Sequence, residues 1–241
     1  MDYENLDQFD IILVDPPWEE YKRRVEGYPM IKHQEKLECW TFEEIKNLKL
    51  DRLTSTPSFI FLWVGTQHLD QGRMLFKSWG FKRCEDVVWL KTNKQDIGYK
   101  PEHTDKGSLL KNTKEHCLVG IRGDNKQANE SYFIHPNIDT DVIVTEDPSI
   151  GDFNKPLEIK TIIERFCLGR KRLELFGNEK SIKDGWLVIG KDIPETNYDK
   201  KLYSKYFEGP INLNSYQGGR YTGTTNQIES LRPKSPPKSG V

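Results

Sequence analysis

A carboxylate, two prolines and a tryptophan stand in a row at Asp15-Pro16-Pro17-Trp18, directly behind the apolar run Phe9 to Val14. A strand ending in this way would place an acid at the carboxyl edge of a sheet, where α/β proteins bind their ligands. The Asp15 side chain can accept a hydrogen bond from an amino group. Pro16 limits the backbone, so the neighbouring carbonyl oxygen is held as a second acceptor. Trp18 offers a face on which a flat heterocycle could stack, an interaction worth about 1–3 kcal/mol per base. Two acceptors on the hydrogens of an aromatic exocyclic amine would localise the nitrogen lone pair for attack on a methyl sulfonium. Such chemistry needs positioning more than a strong base. The same four residues also fit a bland reading, a strand closed by an acidic proline turn with Trp18 packed at its rim.

The elements that would hold this group are visible as alternating patterns. Short apolar, β-branched runs predict strands at Phe9–Asp15, Ser58–Val64, Asp86–Lys91, His116–Arg122, Asp141–Thr145, Arg172–Phe176 and Trp186–Ile189. Their near-continuous apolar character is that of strands covered on both faces. Helical spacing follows the capping box Thr41-Phe42-Glu43-Glu44, with Ile45, Leu48 and Leu53 on one face. It recurs from Leu69 to Trp79, stopping at Gly80, and from Leu157 to Leu168 behind Pro156, closed by Gly169. Strands alternating with helices predict one Rossmann-like α/β domain with a mixed sheet over residues 1–208. The polar stretch 209–241, with Arg232-Pro233-Lys234-Ser235-Pro236-Pro237-Lys238 near its end, reads as an extended tail. Glu19–Glu38 and Thr92–Thr113 lack periodicity and are too long for ordinary connectors, which marks them as candidate functional or mobile loops.

Composition narrows the class. Over 241 residues, 36 basic and 37 acidic side chains give a net charge of −1, so any polyanion must be gripped by local patches. Lys22-Arg23-Arg24, just past the acidic motif, is one candidate for phosphate contact and equally an ordinary solvated run. The four cysteines lack a C-x-x-C pair, which argues against structural zinc and disulfides and for a reducing compartment, the cytosol or nucleus. His116 and Cys117 are adjacent in a strand, point to opposite faces and cannot chelate together, so no metal site is expected. Trp63, Trp79 and Trp89 lie in or beside apolar elements and read as core. No apolar run approaches the roughly 20 residues of a membrane span, and Met1 to Leu6 is no secretory signal.

Several motifs in register resemble the MT-A70-type adenine-N6 methyltransferases. Besides Asp15–Trp18 they are Ser58-Phe59-Ile60-Phe61-Leu62-Trp63, Trp89-Leu90-Lys91-Thr92-Asn93, Lys114-Glu115-His116-Cys117-Leu118 and Leu173-Glu174-Leu175-Phe176-Gly177. The likeness runs from Phe9 to about Ile193. In Glu19-Glu20-Tyr21, Phe166-Cys167-Leu168-Gly169-Arg170 and Leu231 to Pro237 the chain is similar to the methyltransferase-like fourteen branch, whose familiar members are catalytically silent with a degraded motif. The intact Asp-Pro-Pro-Trp is similar instead to ciliate DNA adenine methyltransferase subunits. The resemblance implies a circularly permuted fold, with the catalytic strand first and the cofactor strand late. It implies a catalytic group of Asp15, Pro16, Pro17 and Trp18, and S-adenosylmethionine as methyl donor. The donor's carboxylate end falls to Lys155 ahead of Pro156, and its ribose to Glu174, Phe176, Gly177, Asn178 and Ser181. Lys191 and Asp192 fall at its adenine. A nuclear enzyme acting on nucleic acid, DNA favoured, is expected, with an RNA adenosine methyltransferase or a non-catalytic nucleic-acid-binding subunit as the alternatives. It would be paired with a related degenerate subunit and have further chain ahead of Met1.

Overall fold

The computed structural model describes residues 8–25, 38–94, 109–110, 112–123, 138–149, 152–167, 171–193, 199 and 201. The expected tail 209–241, the domain boundary at 208 and most of the segment 92–113 lie outside the described residues.

Seven strands make one sheet: β1 (Phe9–Val14), β2 (Thr54–Val64), β3 (Lys82–Thr92), β4 (Lys114–Arg122), β5 (Val142–Glu146), β6 (Arg172–Leu175) and β7 (Trp186–Ile189). Each of the seven apolar runs has become a strand. Their order is β5-β3-β4-β2-β1-β6-β7. β1 is parallel to both neighbours, β2 and β6; β7 is parallel to β6, and β5 to β3. β4 is antiparallel to β2 and β3 and is the one reversed strand. The sheet is therefore mixed, as its motif order predicts. The chain leaves β1 toward β2 on one side, and β6 and β7 fill the other. That divergence makes the carboxyl end of β1 a switch point, the place where open α/β sheets bind ligands.

Helices cover both faces because the strands alternate between two apolar sets. Ile12, Val14, Ile60, Leu62, Leu118, Leu173 and Leu175 face α2 (Phe42–Lys46), α3 (Leu50–Leu53) and α4 (Leu69–Ser78) through Ile45, Leu50, Leu75 and Phe76. Ile11, Leu13, Phe59, Phe61, Cys117, Val119 and Ile143 pack with Ile159 and Ile163 of α5 (Glu158–Phe166). α2 starts at the predicted box, with Thr41 accepting from the Glu44 amide and Glu44 bonding back to the Thr41 amide. Two readings needed adjustment. The helix expected on toward Leu53 breaks at Asn47 and resumes as α3. The stretch from Glu19, expected as a loop, opens as α1 (Glu19–Val25), with two acids in its first turn where the helix dipole favours them.

Close contact between α4 and the sheet depends on missing side chains. A Cβ on Gly120 would sit 2.9 Å from Phe76 Cε2 and 3.0 Å from Ile60 Cγ2. Gly120→Ala should therefore destabilise the chain by roughly 1–3 kcal/mol through overpacking. The expected readout is a lower denaturant midpoint at an unchanged m-value; an unchanged midpoint would show that the core yields there.

Candidate functional site

The Asp-Pro-Pro-Trp loop leaves β1 at the switch point and is bound into the fold from behind. Trp18 is only 1% exposed and belongs to the core on the α4 side. Its indole Nε1 donates to the Trp63 carbonyl at 2.8 Å, and its ring stacks on His68 with centroids 4.9 Å apart. His68 Nδ1 is in turn 3.0 Å from the buried Glu20 carboxylate. That carboxylate lies where a Cβ on Gly65 would be, 1.7 Å from Glu20 Oε1, so any side chain after β2 would have to displace it. The Trp18 amide donates to the Pro16 carbonyl at 2.8 Å, and the Trp40 amide to the Pro17 carbonyl at 3.0 Å. In this arrangement Trp18 is a core side chain that pins the loop, with its ring stacked on His68.

Asp15 points the other way, into a cluster of charges. Lys155 Nζ lies 3.3 Å from Asp15 Oδ1 and 3.4 Å from Glu115 Oε2. It donates to the Tyr21 hydroxyl at 2.9 Å and to the Phe153 carbonyl at 3.2 Å, and it sits over the Tyr21 ring. Tyr21 in turn donates to Asp15 Oδ1 at 3.4 Å. Glu115 Oε1 is held at 2.8 Å by Lys91, which also reaches Asp147 at 3.2 Å. Burial pushes the Asp15 carboxyl up from its ordinary 3.8 to about 6; Lys155 opposes the rise, and the Glu115 and Glu174 charges add to it. A carboxyl that titrates near neutrality in a cleft is the kind of group found at binding and catalytic sites.

The residues expected around a methyl donor divide into two sets. Lys155 is a buried ammonium at the carboxyl edge of the sheet, against Asp15 and Glu115. The loops after β6 and β7 also come together there. Gly177 and Gly190 touch so closely that a Cβ on Gly190 would fall 1.7 Å from the Gly177 carbonyl oxygen. β6 ends one residue earlier than expected because Phe176 takes a positive φ of 65°. Glu174, however, is turned to the α5 side, where Lys160 Nζ binds it at 2.6 Å. Asn178 caps its own turn by accepting from the Lys180 amide at 2.9 Å and donates to Asn154 at 2.7 Å. The Ser181 hydroxyl donates to the Asn178 carbonyl at 2.9 Å. Lys155 is a cation of the kind that meets a carboxylate, whereas Glu174 is bound by Lys160 and Asn178 and Ser181 are bonded within their own turn. Lys191 and Asp192 are exposed beyond β7, and Lys22 and Arg23 are exposed on α1, with Arg24 next to them in the helix. Arg23 donates to Gln67 at 2.8 Å, which joins α1 to the turn after β2.

Four members of the cluster went unnoticed in the sequence: Tyr21, Lys91, Glu115 and Asp147. Each lies in or beside a motif that carries the family likeness or a strand end. Only the reversal of β4 brings Glu115 to the edge where the parallel strands finish. Among the described residues no group of three or more His, Cys, Asp or Glu could hold a metal ion.

Fold and cleft together define a Rossmann-like domain of methyltransferase type, with its acidic motif at the switch point. A model of the MT-A70 family matches residues 9–192, and the chain belongs to that family. It is 45% identical over 235 residues to the "N(6)-adenosine-methyltransferase non-catalytic subunit METTL14" of Danio rerio, covering 97% of this chain and 49% of that protein. The corresponding protein of Drosophila melanogaster is 42% identical over 232 residues, covering 95% of this chain and 55% of its own length. The human "N(6)-adenosine-methyltransferase catalytic subunit METTL3" is 31% identical over 193 residues, covering 80% of this chain and 30% of that protein. The chain thus spans about half the length of the METTL14 proteins it matches.

Two variants separate the faces of the motif. Trp18→Ala should cost roughly 3–5 kcal/mol of stability, as expected for a large buried aromatic; near-native stability in denaturant would contradict its burial. Asp15 binds its proton more tightly folded than unfolded. The stability it contributes is therefore fully present below 3.8 and is lost as pH rises through about 6. Asp15→Asn removes that titration. Its Tm relative to wild type should accordingly rise across this window and level off above it. A difference independent of pH would show that Asp15 does not titrate there.

Proposed function

We propose that this chain is the substrate-positioning, non-catalytic subunit of an adenine-N6 methyltransferase complex acting on RNA. The observation that carries the reading is the state of the motif. The Trp18 ring is buried in the core rather than offered to a base. Identity points the same way, at 45% over nearly the whole chain to a protein called non-catalytic and 31% to one called catalytic. Those names specify adenosine, the RNA nucleoside, so RNA replaces the DNA preference that the sequence suggested. In this reading the chain pairs with a catalytic MT-A70 subunit in the nucleus, and the exposed Lys22 and Arg23 on α1 contact phosphates. A near-neutral chain has little electrostatic grip of its own, because non-specific affinity comes largely from phosphate neutralisation.

The intact Asp15-Pro16-Pro17-Trp18 at the switch point favours a second reading, in which this chain carries the chemistry. S-adenosylmethionine would supply the methyl group, with Lys155 holding its carboxylate. Asp15 would accept from the adenine amine while the Pro16 and Pro17 carbonyls stay fixed by their backbone bonds.

The two readings part in a reconstituted complex with a catalytic MT-A70 subunit, assayed on matched RNA and DNA oligonucleotides. Asp15→Asn here should leave RNA methylation within about twofold, whereas loss of the partner's own motif aspartate should abolish it. A drop of about 100-fold or more from Asp15→Asn, with assembly intact, would establish catalysis in this chain. Equal turnover on DNA would remove the RNA preference.

A further inference from the structure

Glu115 reaches the cleft on β4, the strand that runs against the other six. Its side chain is 2% exposed, and its two oxygens face different lysines, Lys91 at 2.8 Å and Lys155 at 3.4 Å. Lys91 is itself tied to Asp147 at 3.2 Å, so Glu115 is anchored from behind. On the other side, Lys155 has three N–H donors. The Tyr21 hydroxyl at 2.9 Å and the Phe153 carbonyl at 3.2 Å take two of them. The same ammonium also reaches Asp15 at 3.3 Å and Glu115 at 3.4 Å. Both separations exceed the roughly 2.7–2.9 Å of a strong charge-assisted bond. The ammonium is divided between two carboxylates and closes on neither.

We propose that Glu115 is a positioning residue: anchored by Lys91, it draws Lys155 off Asp15 and keeps the Asp15 carboxylate only partly paired. Without Glu115 the ammonium would swing fully onto Asp15 and the cleft would end in a closed ion pair. With Glu115 in place, Asp15 keeps accepting capacity that an N–H or cationic group of a ligand can use. The described groups that act on Asp15 are Lys155 ahead of α5, Glu115 and Cys117 on β4, Glu174 on β6 and Tyr21 on α1. Of these, Glu115 is the negative charge that shares Lys155 with it. The inference concerns the state of Asp15 and holds whichever subunit does the chemistry, so its failure and that of the proposed function are separately readable.

The test is a pH titration of the whole chain labelled with 13C at aspartate side-chain carboxyls, the Asp15 resonance being assigned by its loss in Asp15→Asn. Glu115→Gln removes the like charge and releases Lys155, so the Asp15 midpoint should fall from about 6 by about one pH unit, a tenfold loss of proton affinity. Lys155→Met should move it the opposite way. A midpoint unchanged in Glu115→Gln would overturn the proposal, since a purely structural Glu115 would change stability and leave Asp15 alone. Should Glu115→Gln fail to fold, Glu115→Asp carries the same test. Its shorter arm withdraws from Lys155 while the negative charge remains, and Asp15 should still titrate at lower pH; an unmoved midpoint there would be equally fatal.

Discussion

The carboxyl edge of this sheet is organised around one buried ammonium. Lys155 has a side chain 8% exposed, and taking such a charge out of water costs several kcal/mol unless its surroundings restore the lost hydrogen bonds. Here they come from four separate parts of the chain: Asp15 behind β1, Tyr21 on α1, Glu115 on β4 and the Phe153 carbonyl in the approach to α5. Those positions meet only if β1 is central and β4 reversed. The topology is thus a condition for solvating Lys155, and Lys155 in return ties the first strand to the segment that enters the last long helix. Replacing such a cluster by apolar residues is often neutral or stabilising. That Asp15 is held at a raised pKa beside two further carboxylates argues that the charges serve a ligand rather than the fold.

A second buried charge system supports the sheet from the α5 side. Lys160 and Glu164, one turn apart and both about 1% exposed, face the sheet instead of the solvent. Lys160 pairs with Glu174 and its ammonium lies over the Trp186 ring, while Glu164 accepts from Trp186 Nε1 at 2.8 Å and from Lys183 at 2.7 Å. Lys160 also donates to the Ser181 carbonyl. The turn after β6 is therefore fixed from beneath by α5 and from the side by the contact of Gly177 with Gly190.

What could be read in the sequence follows from which forces are local. All seven strands were legible, since burial on both faces leaves uninterrupted apolar runs, and so was the α2 start, since a capping box is a local device. Asp15 was placed at the carboxyl edge because it ends an apolar strand run, whereas Lys155 came only from the family resemblance. Side-chain direction was not legible. Glu174 reads as a polar residue at a strand end and nothing local reveals that Lys160 takes it. Glu115 reads as the charged entry to an apolar strand, and its role depends on the antiparallel placement of β4, which no periodicity encodes. α1 was hidden because seven residues give too little repeat to distinguish a helix from a polar loop.

The intact motif itself has to be weighed with Trp18 in its observed place. Sequence reasoning treats Asp-Pro-Pro-Trp as a unit and takes its survival as a sign of catalysis. In the structure the unit has two faces with different constraints. The Trp18 face fills the core, bonds the Trp63 carbonyl and stacks on a His68 held by Glu20. Retention of this tryptophan is explained by packing alone, at the several kcal/mol that a buried aromatic is worth. The prolines are likewise fixed by the backbone bonds from Trp18 and Trp40. Only Asp15 looks into the cleft, and it is the member already occupied, by an ammonium that Glu115 holds partly away. Packing accounts for the buried Trp18 side chain, which leaves Asp15 as the member of the motif whose partners are charged.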